Sequence, residues 1–271
     1  MSDGVLAPRD VARRAHANGV TLWALTDHDI LDGVPAARAE AQALGMQFVA
    51  GVEISVTWSG HTVHIVGLNV DDAHPVLVEG LRTVRSGRSE RALEMGRRLD
   101  AMGVENSYRG ALSYVSNPAL ISRTHFARYL VDRGYSKNMQ AVFSHYLGEG
   151  SPAYVPMQWS SLERAVGWIR QAGGRAVIAH PGRYSYSSMQ FDALFEQFRD
   201  LGGEAIEVVT GSHTPDQYRQ YADVARRYGF LASCGSDFHS PREARLDLGQ
   251  LPPLPHDLTP VWHDWVERTP A

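Results

Sequence analysis

Asp27, His28 and Asp29, then Glu53, His64, His180, His213, Asp237 and His239, are the residues best equipped for chemistry in this sequence. Their spacing follows a rule. The apolar run 20–25 leads into Thr26-Asp27-His28-Asp29, and 47–52 leads into Glu53. Residues 176–179 lead into His180-Pro181-Gly182, 205–209 into Gly211-Ser212-His213, and 230–233 into Gly235-Ser236-Asp237-Phe238-His239. His64 lies inside a further run, 62–70. One such histidine is ordinarily a hydrogen-bonded loop residue, but a series of them converging on one rim asks for another account. Mixed imidazole and carboxylate ligands suit borderline-hard divalent ions such as Mn, Zn or Fe. More than four ligands imply more than one ion. Clustered ions clamp the attacking and leaving oxygens of a phosphoryl displacement and activate a water.

A second constellation is basic. Arg85, Arg88 and Arg91 recur every three residues, which places them on one face if the segment is helical. Arg123-Thr124-His125 opens a later helical stretch in the same part of the chain. Arginine grips phosphate oxygens bidentately, and a helix start at Ser122 would add backbone N–H donors. The pattern predicts a phosphate clamp.

Strand-length apolar runs alternating with amphipathic helical stretches must position these groups. Helices are predicted over 7–17, 33–44, 162–172, 190–201 and 215–228, and Gly or Asn-Gly stops most of them. Such alternation predicts a parallel α/β sheet whose strand ends share one rim. Residues 56–70 read as a hairpin about Ser59-Gly60. Between 75 and 156 the β-branched runs disappear. One long helix is predicted from 81 to 102, with further helices over 121–132 and 139–147. The tail from Leu251 is Pro-rich, with a short helix at most over 262–266.

The composition is that of an ordinary soluble domain, with 271 residues, 44% hydrophobic and 21% charged. A net charge of -4 gives no bulk basic field for nucleic acid or membrane. The single cysteine, Cys234, excludes an intrachain disulfide framework and a thiolate zinc cluster, and reads as a small buried strand residue. Lys137 is the only lysine, which argues against a Schiff-base mechanism. With no membrane-length apolar run and no signal peptide in the sequence, the cytoplasm is the expected location.

Thr26-Asp27-His28-Asp29, Gly51-Val52-Glu53-Ile54-Ser55, His64-Ile65-Val66-Gly67, Ala179-His180-Pro181-Gly182 and Gly235-Ser236-Asp237-Phe238-His239 resemble, in order, the motifs of the PHP (polymerase and histidinol phosphatase) family. The match runs over most of the chain. Arg88-Ser89-Glu90-Arg91, the stretch 121–128 and Gly211-Ser212-His213 resemble its bacterial branch with a helical insertion. That branch includes 3′,5′-nucleoside bisphosphate phosphatases, and relatives in it trim RNA from the 5′ end. The resemblance implies a distorted (β/α)7 TIM-like barrel of residues 1–74 and 157–271, with residues 75–156 as an insertion capping the site. It implies up to three divalent metals, with Mn expected and Zn or Fe as alternatives. By it, Asp3, His28, Glu53, His64, His180, Asp237 and His239 are metal ligands. Asp237 and His28 carry the catalytic roles, Asp237 helping to orient the attacking hydroxide. Arg88, Ser89, Glu90, Arg91, Arg123, Thr124 and His213 hold the nucleotide.

One departure is clear. The family opens on a strand carrying Asp-x-His-x-His, whereas this sequence starts Met1-Ser2-Asp3-Gly4 and keeps only the Ser-Asp-Gly that follows. The expectation is a barrel short of one strand and two ligands, with at least one metal held weakly. A start codon assigned too late is the expected cause. The expected activity is hydrolysis of the 3′-phosphate of nucleoside 3′,5′-bisphosphates, with a small nucleotide as partner and no membrane or obligate protein partner. A 5′-to-3′ exoribonuclease acting on RNA 5′ ends is the enzymatic rival. A non-catalytic nucleotide-binding module is the rival of another class. Histidinol phosphatase and amidohydrolase activities leave the arginines unexplained.

Overall fold

The computed structural model describes residues 2–115 and 117–265. The chain opens with α1 (Pro8–Ala17), β1 (Leu22–Leu25), α2 (Val34–Ala43), β2 (Gln47–Trp58) and β3 (His61–Leu68). Helices follow: α3 (Pro75–Arg85), α4 (Arg88–Ala101), α5 (Ser107–Leu112), α6 (Arg123–Asp132) and α7 (Met139–Val142), the last running into a π-helical turn at Phe143–Leu147. Alternation then resumes with α8 (Leu162–Gln171), β4 (Arg175–Ile178), α9 (Ser188–Asp200), β5 (Ala205–Thr210), α10 (Pro215–Tyr228) and β6 (Leu231–Gly235).

The strands form one six-stranded sheet in sequence order, β1 to β6. β1–β2 and β4–β5–β6 are parallel, while β3 runs antiparallel to both its neighbours. The sheet curls. β1 and β6 are its two edges, yet the rings of His28, just past β1, and His239, just past β6, lie 6.2 Å apart. No ladder joins these edges among the described residues. A cavity of about 640 Å³ separates them, lined by Trp23, Leu25, Val49, Val66, Cys234 and Trp262. The C-terminal tail covers the β6 edge at one point, where the Ala232 N–H donates to Thr259 O and the Val261 N–H to Ala232 O.

The main core packs Val52, Ile54, Ile65, Ile178, Ile206 and Val208 of the sheet against helices α8, α9 and α10. Leu77 and Leu81 of α3 join it, and a Cβ on Gly80 would come within 2.4 Å of the Trp168 ring. Glycine there lets α3 and α8 approach closely. A second core gathers Met95, Leu99, Phe126, Leu130, Val142 and Leu147, and it begins with α4.

Three details differ from the sequence reading. The strand predicted to stop before Glu53 continues to Trp58, because from Gly51 onward it finds a new partner in β3. Glu53 and His64 therefore point from the middle of strands. The helix predicted over 81–102 breaks at Ser86-Gly87, where a Cβ on Gly87 would meet Met157 at 2.8 Å. The tail makes turns rather than a helix over 261–265, and position 266 lies outside the described residues.

Candidate metal centre and arginine wall

The loop after β1 is stitched to β2. The Glu53 N–H donates to Asp27 O and the Asp29 N–H to Glu53 O. Asp29 is fully buried with φ 56, in the left-handed region a non-glycine residue seldom adopts. Its carboxylate accepts the Ser55 N–H at 2.7 Å, the Ser55 hydroxyl at 2.8 Å and the Arg88 guanidinium. Arg85 adds a bond to Asp29 O. The bends around Asp29 turn His28 toward Glu53.

Glu53 is the hub. Its Oε1 lies 2.9 Å from His64 Nδ1 and 3.0 Å from His180 Nε2, and its Oε2 lies 3.7 Å from His28 Nε2. The His64 and His180 nitrogens are themselves 3.2 Å apart. A second group forms beside it, where Asp3 Oδ1 lies 3.5 Å from His239 Nε2 and Asp237 Oδ1 lies 3.6 Å from His239 Nδ1. His28 belongs to both. The ligand atoms of Asp3, His28 and His239, and those of His28, Glu53 and His64, each fall within 4.8 Å of one another.

Electrostatics follows from this crowding. Burial pushes the Glu53 carboxyl up, but the imidazoles of His28, His64 and His180 outweigh it and hold it well below the usual carboxylate range. Asp3 behaves alike under His239, His28 and His125. Burial would lower His239, yet Asp3 and Asp237 raise it to about 9, while burial carries His64 down to about 4. Of these imidazoles the carboxylates raise His28 and His239, which favours positive charge beside Asp3 and Glu53, while His64 goes the other way. The Nδ1 atoms of His28 and His180 are buried with no hydrogen-bond partner among the described residues. Unpartnered imidazole nitrogens beside buried carboxylates make a donor set that fits divalent metal ions.

The sequence-derived ligands Asp3, His28, Glu53, His64, His180, Asp237 and His239 are therefore brought together. Of the residues expected to hold nucleotide, Arg88, Arg91, Arg123 and Thr124 line a cavity of about 400 Å³ that also reaches Asp3, His28, His64, Asp237 and His239. Arg91 and Arg88 lie over the Trp159 ring, 5.5 and 4.8 Å from its centre. Arg123 lies between Phe143 and Tyr154. Burial, and then Arg123, lower Arg91 to about 10, the mark of crowded cations. Ser89 and Glu90 face solvent away from this cavity. His213 is not brought to it either. The ring is fully buried, with Nε2 accepting the Gly182 N–H at 3.0 Å and Nδ1 3.2 Å from Val208 O.

Three residues escaped the sequence reading. Trp159 lies in the segment after the helices and carries no motif of its own. Arg183 follows His180 by one short turn, lines the same cavity and donates to Asp237 Oδ2 at 2.9 Å. Glu207 is buried on β5, where its Oε2 accepts the His180 N–H at 2.7 Å. A glutamate inside an apolar strand was a visible signal for it.

Comparison with known proteins agrees with this geometry. A family model described as PHP domain matches residues 1–228. A 3′,5′-nucleoside bisphosphate phosphatase of Chromobacterium violaceum is 50% identical over 267 residues, 98% of this chain and 94% of that one. The 5′-3′ exoribonuclease Rnm of Salmonella typhimurium is 40% identical, over 98% of this chain and 91% of its own length. A solved structure from Chromobacterium violaceum, described as an amidohydrolase with bound sulfate and no metal, has a TM-score of 0.94 at 50% identity and covers 96% of this chain and 91% of its own. One from Bifidobacterium adolescentis, described as a metal-dependent phosphoesterase, has a TM-score of 0.79 at 26% identity, covering 96% and 89%. The chain belongs to the PHP domain family.

Proposed function

We propose that this protein is a metal-dependent phosphoesterase that removes the 3′-phosphate of nucleoside 3′,5′-bisphosphates and leaves the nucleoside 5′-monophosphate. The observation that carries the reading is one cleft that two unlike sets of groups line together. Asp3, His28, His64, Asp237 and His239 share it with Arg88, Arg91, Arg123 and Arg183, the last ion-paired to Asp237. A substrate with two phosphates suits such a cleft, and the 50% identity to a phosphatase of that name supports it.

Asp3, His28, Glu53, His64, His180, Asp237 and His239 would hold the divalent ions, manganese being the first choice. Ions held there would supply Lewis-acid polarisation of the phosphoryl group and a more acidic attacking water. Asp237 lines the cleft and orients that water through its carboxylate. His28 contacts both ligand groups and fixes their relation. Arg91 and Arg123 grip the 5′-phosphate, Arg183 holds Asp237, and buried Glu207 fixes the His180 backbone N–H behind the rim. The curled sheet is read as a distorted TIM-like barrel, with the helices of 75–156 capping it.

Steady-state kinetics with adenosine 3′,5′-bisphosphate and an aryl phosphate test this. Phosphate release with 5′-AMP as product, and kcat/KM far above that for the aryl phosphate, are expected. A 3′-AMP product would overturn the reading. Stepwise release of mononucleotides from a 5′-phosphorylated oligoribonucleotide, at higher kcat/KM than the bisphosphate, would favour the exoribonuclease activity borne by the Salmonella relative.

A further inference from the structure

Helix α6 touches the candidate metal centre at a place that gripping a substrate does not require. Thr124 Oγ1 donates to Asp3 Oδ2 at 3.2 Å. Arg128, one turn further, donates from Nη1 to the backbone carbonyl of Asp3 at 2.6 Å. The rest of the Arg128 guanidinium is fixed by Glu243, with Nε and Nη2 each 2.9 Å from a carboxylate oxygen. Residues three and four apart share a helix face, so Thr124 and Arg128 reach Asp3 from the same side.

The Asp3 segment has no strand ladder to hold it among the described residues. It precedes α1 and lies outside the sheet. Its other ties include the Ser2 N–H and hydroxyl to Asp27, the Ser2 hydroxyl to Asp3 Oδ1, the His28 N–H to the Ser2 hydroxyl, and the Val5 N–H to His239 O. Arg128 is 7% exposed and bonded in a planar fork, a geometry in which Arg and Lys are not interchangeable.

We propose that Arg128, anchored by Glu243 and assisted by Thr124, is a positioning residue that holds the Asp3 carboxylate in the group it forms with His28 and His239. The helical insertion thereby completes one cation site of the barrel and is not only a cover for substrate. The inference rests on the metal-dependent reading above. Groups that orient a ligand typically matter by about 10–100-fold in metal affinity.

The test is a Mn2+ titration of the full chain followed by electron paramagnetic resonance, with thermal unfolding to confirm the fold. Wild-type protein should fill more than one class of site. Arg128→Ala should weaken the weakest-held class by about 10–100-fold and leave the tightest class within a few-fold. Arg128→Lys should restore only part of the loss, and exposed Arg97→Ala on α4 should leave the titration unchanged. If Arg128→Ala does not fold, Thr124→Val and Glu243→Gln decide, each expected to weaken the same class by a few-fold. Unchanged Mn2+ affinities in folded Arg128→Ala, or in both of the milder variants, overturn the inference while leaving the proposed function standing. A wild-type protein that takes up no Mn2+ overturns both.

Discussion

The rim and the arginine wall face one cleft but are built on opposite principles. In the rim, charges are matched inside the protein, with Glu53 and Asp3 surrounded by imidazoles that hold them low and with His28 and His239 raised in return. In the wall, Arg91 and Arg123 are held by aromatic faces, and Arg91 also by the Val155 carbonyl, so their positive charge is left uncancelled. The rim has ligands in search of a cation, and the wall has cations in search of an anion. Arg88 crosses the division, because it lines the cleft but spends its charge on buried Asp29. Residue type alone therefore does not assign an arginine to substrate; the partner already held does.

The strongest way to break this division is Glu53→Gln. An amide cannot serve three imidazoles as the carboxylate does, and kcat should fall on the order of 10²–10³-fold with loss of metal uptake, read by kinetics and metal analysis. Arg88→Ala should act on stability first. Leaving Asp29 buried without its cation costs about 3–5 kcal/mol, visible in denaturant unfolding, and Asp29→Asn in the same chain should recover part of it. If Arg88→Ala instead spares stability and loses bisphosphate binding, Arg88 belongs to the wall. Arg91→Ala with Arg123→Ala should lower kcat/KM for the bisphosphate by on the order of 10²-fold while an aryl phosphate changes by a few-fold at most, since each charged hydrogen bond contributes about 1.5–3 kcal/mol. An equal loss on both substrates would remove the clamp.

The smallest effect concerns His213. Burial pushes its imidazole down from 6.5 to about 4, with like charge on His180 adding to the shift. Between those values the unfolded chain binds the proton and the folded one does not, so stability falls as the pH drops through that window. His213→Asn should flatten the fall between pH 6.5 and 4 by on the order of 1–3 kcal/mol in unfolding free energy. An unchanged slope would mean that the ring is reached by solvent and is free for substrate.

Much of this site was legible in the sequence because its ligands close or interrupt apolar runs, and strand ends of a parallel sheet share a rim. Helix α10 matches its predicted bounds for the same local reason, with Pro215 at its start and Gly229 at its end. What could not be read depends on partners far along the chain. The three-residue repeat of Arg85, Arg88 and Arg91 suggested one face of one helix, but Met157 occupies the space where Gly87 breaks it. His213 follows the same strand-then-loop pattern as the rim histidines, and only the backbone groups of Gly182 and Val208 claim its ring. Glu53 was read as a candidate ligand at a strand end but lies in mid-strand, since the change of partner from β1 to β3 is a tertiary event.

The seam between β1 and β6 has a thermodynamic consequence. Where a closed sheet would carry a ladder of hydrogen bonds, these edges meet through the side chains of His28, His239 and Asp3. An ion held by those three would act as a staple across the seam, joining the first strand to the last. Its binding free energy would then be counted as folding stability. At an ion concentration a hundred times the dissociation constant, mass action adds about 2.7 kcal/mol. The melting temperature of the chain would climb with added ion, and amide exchange along both edges would slow with it.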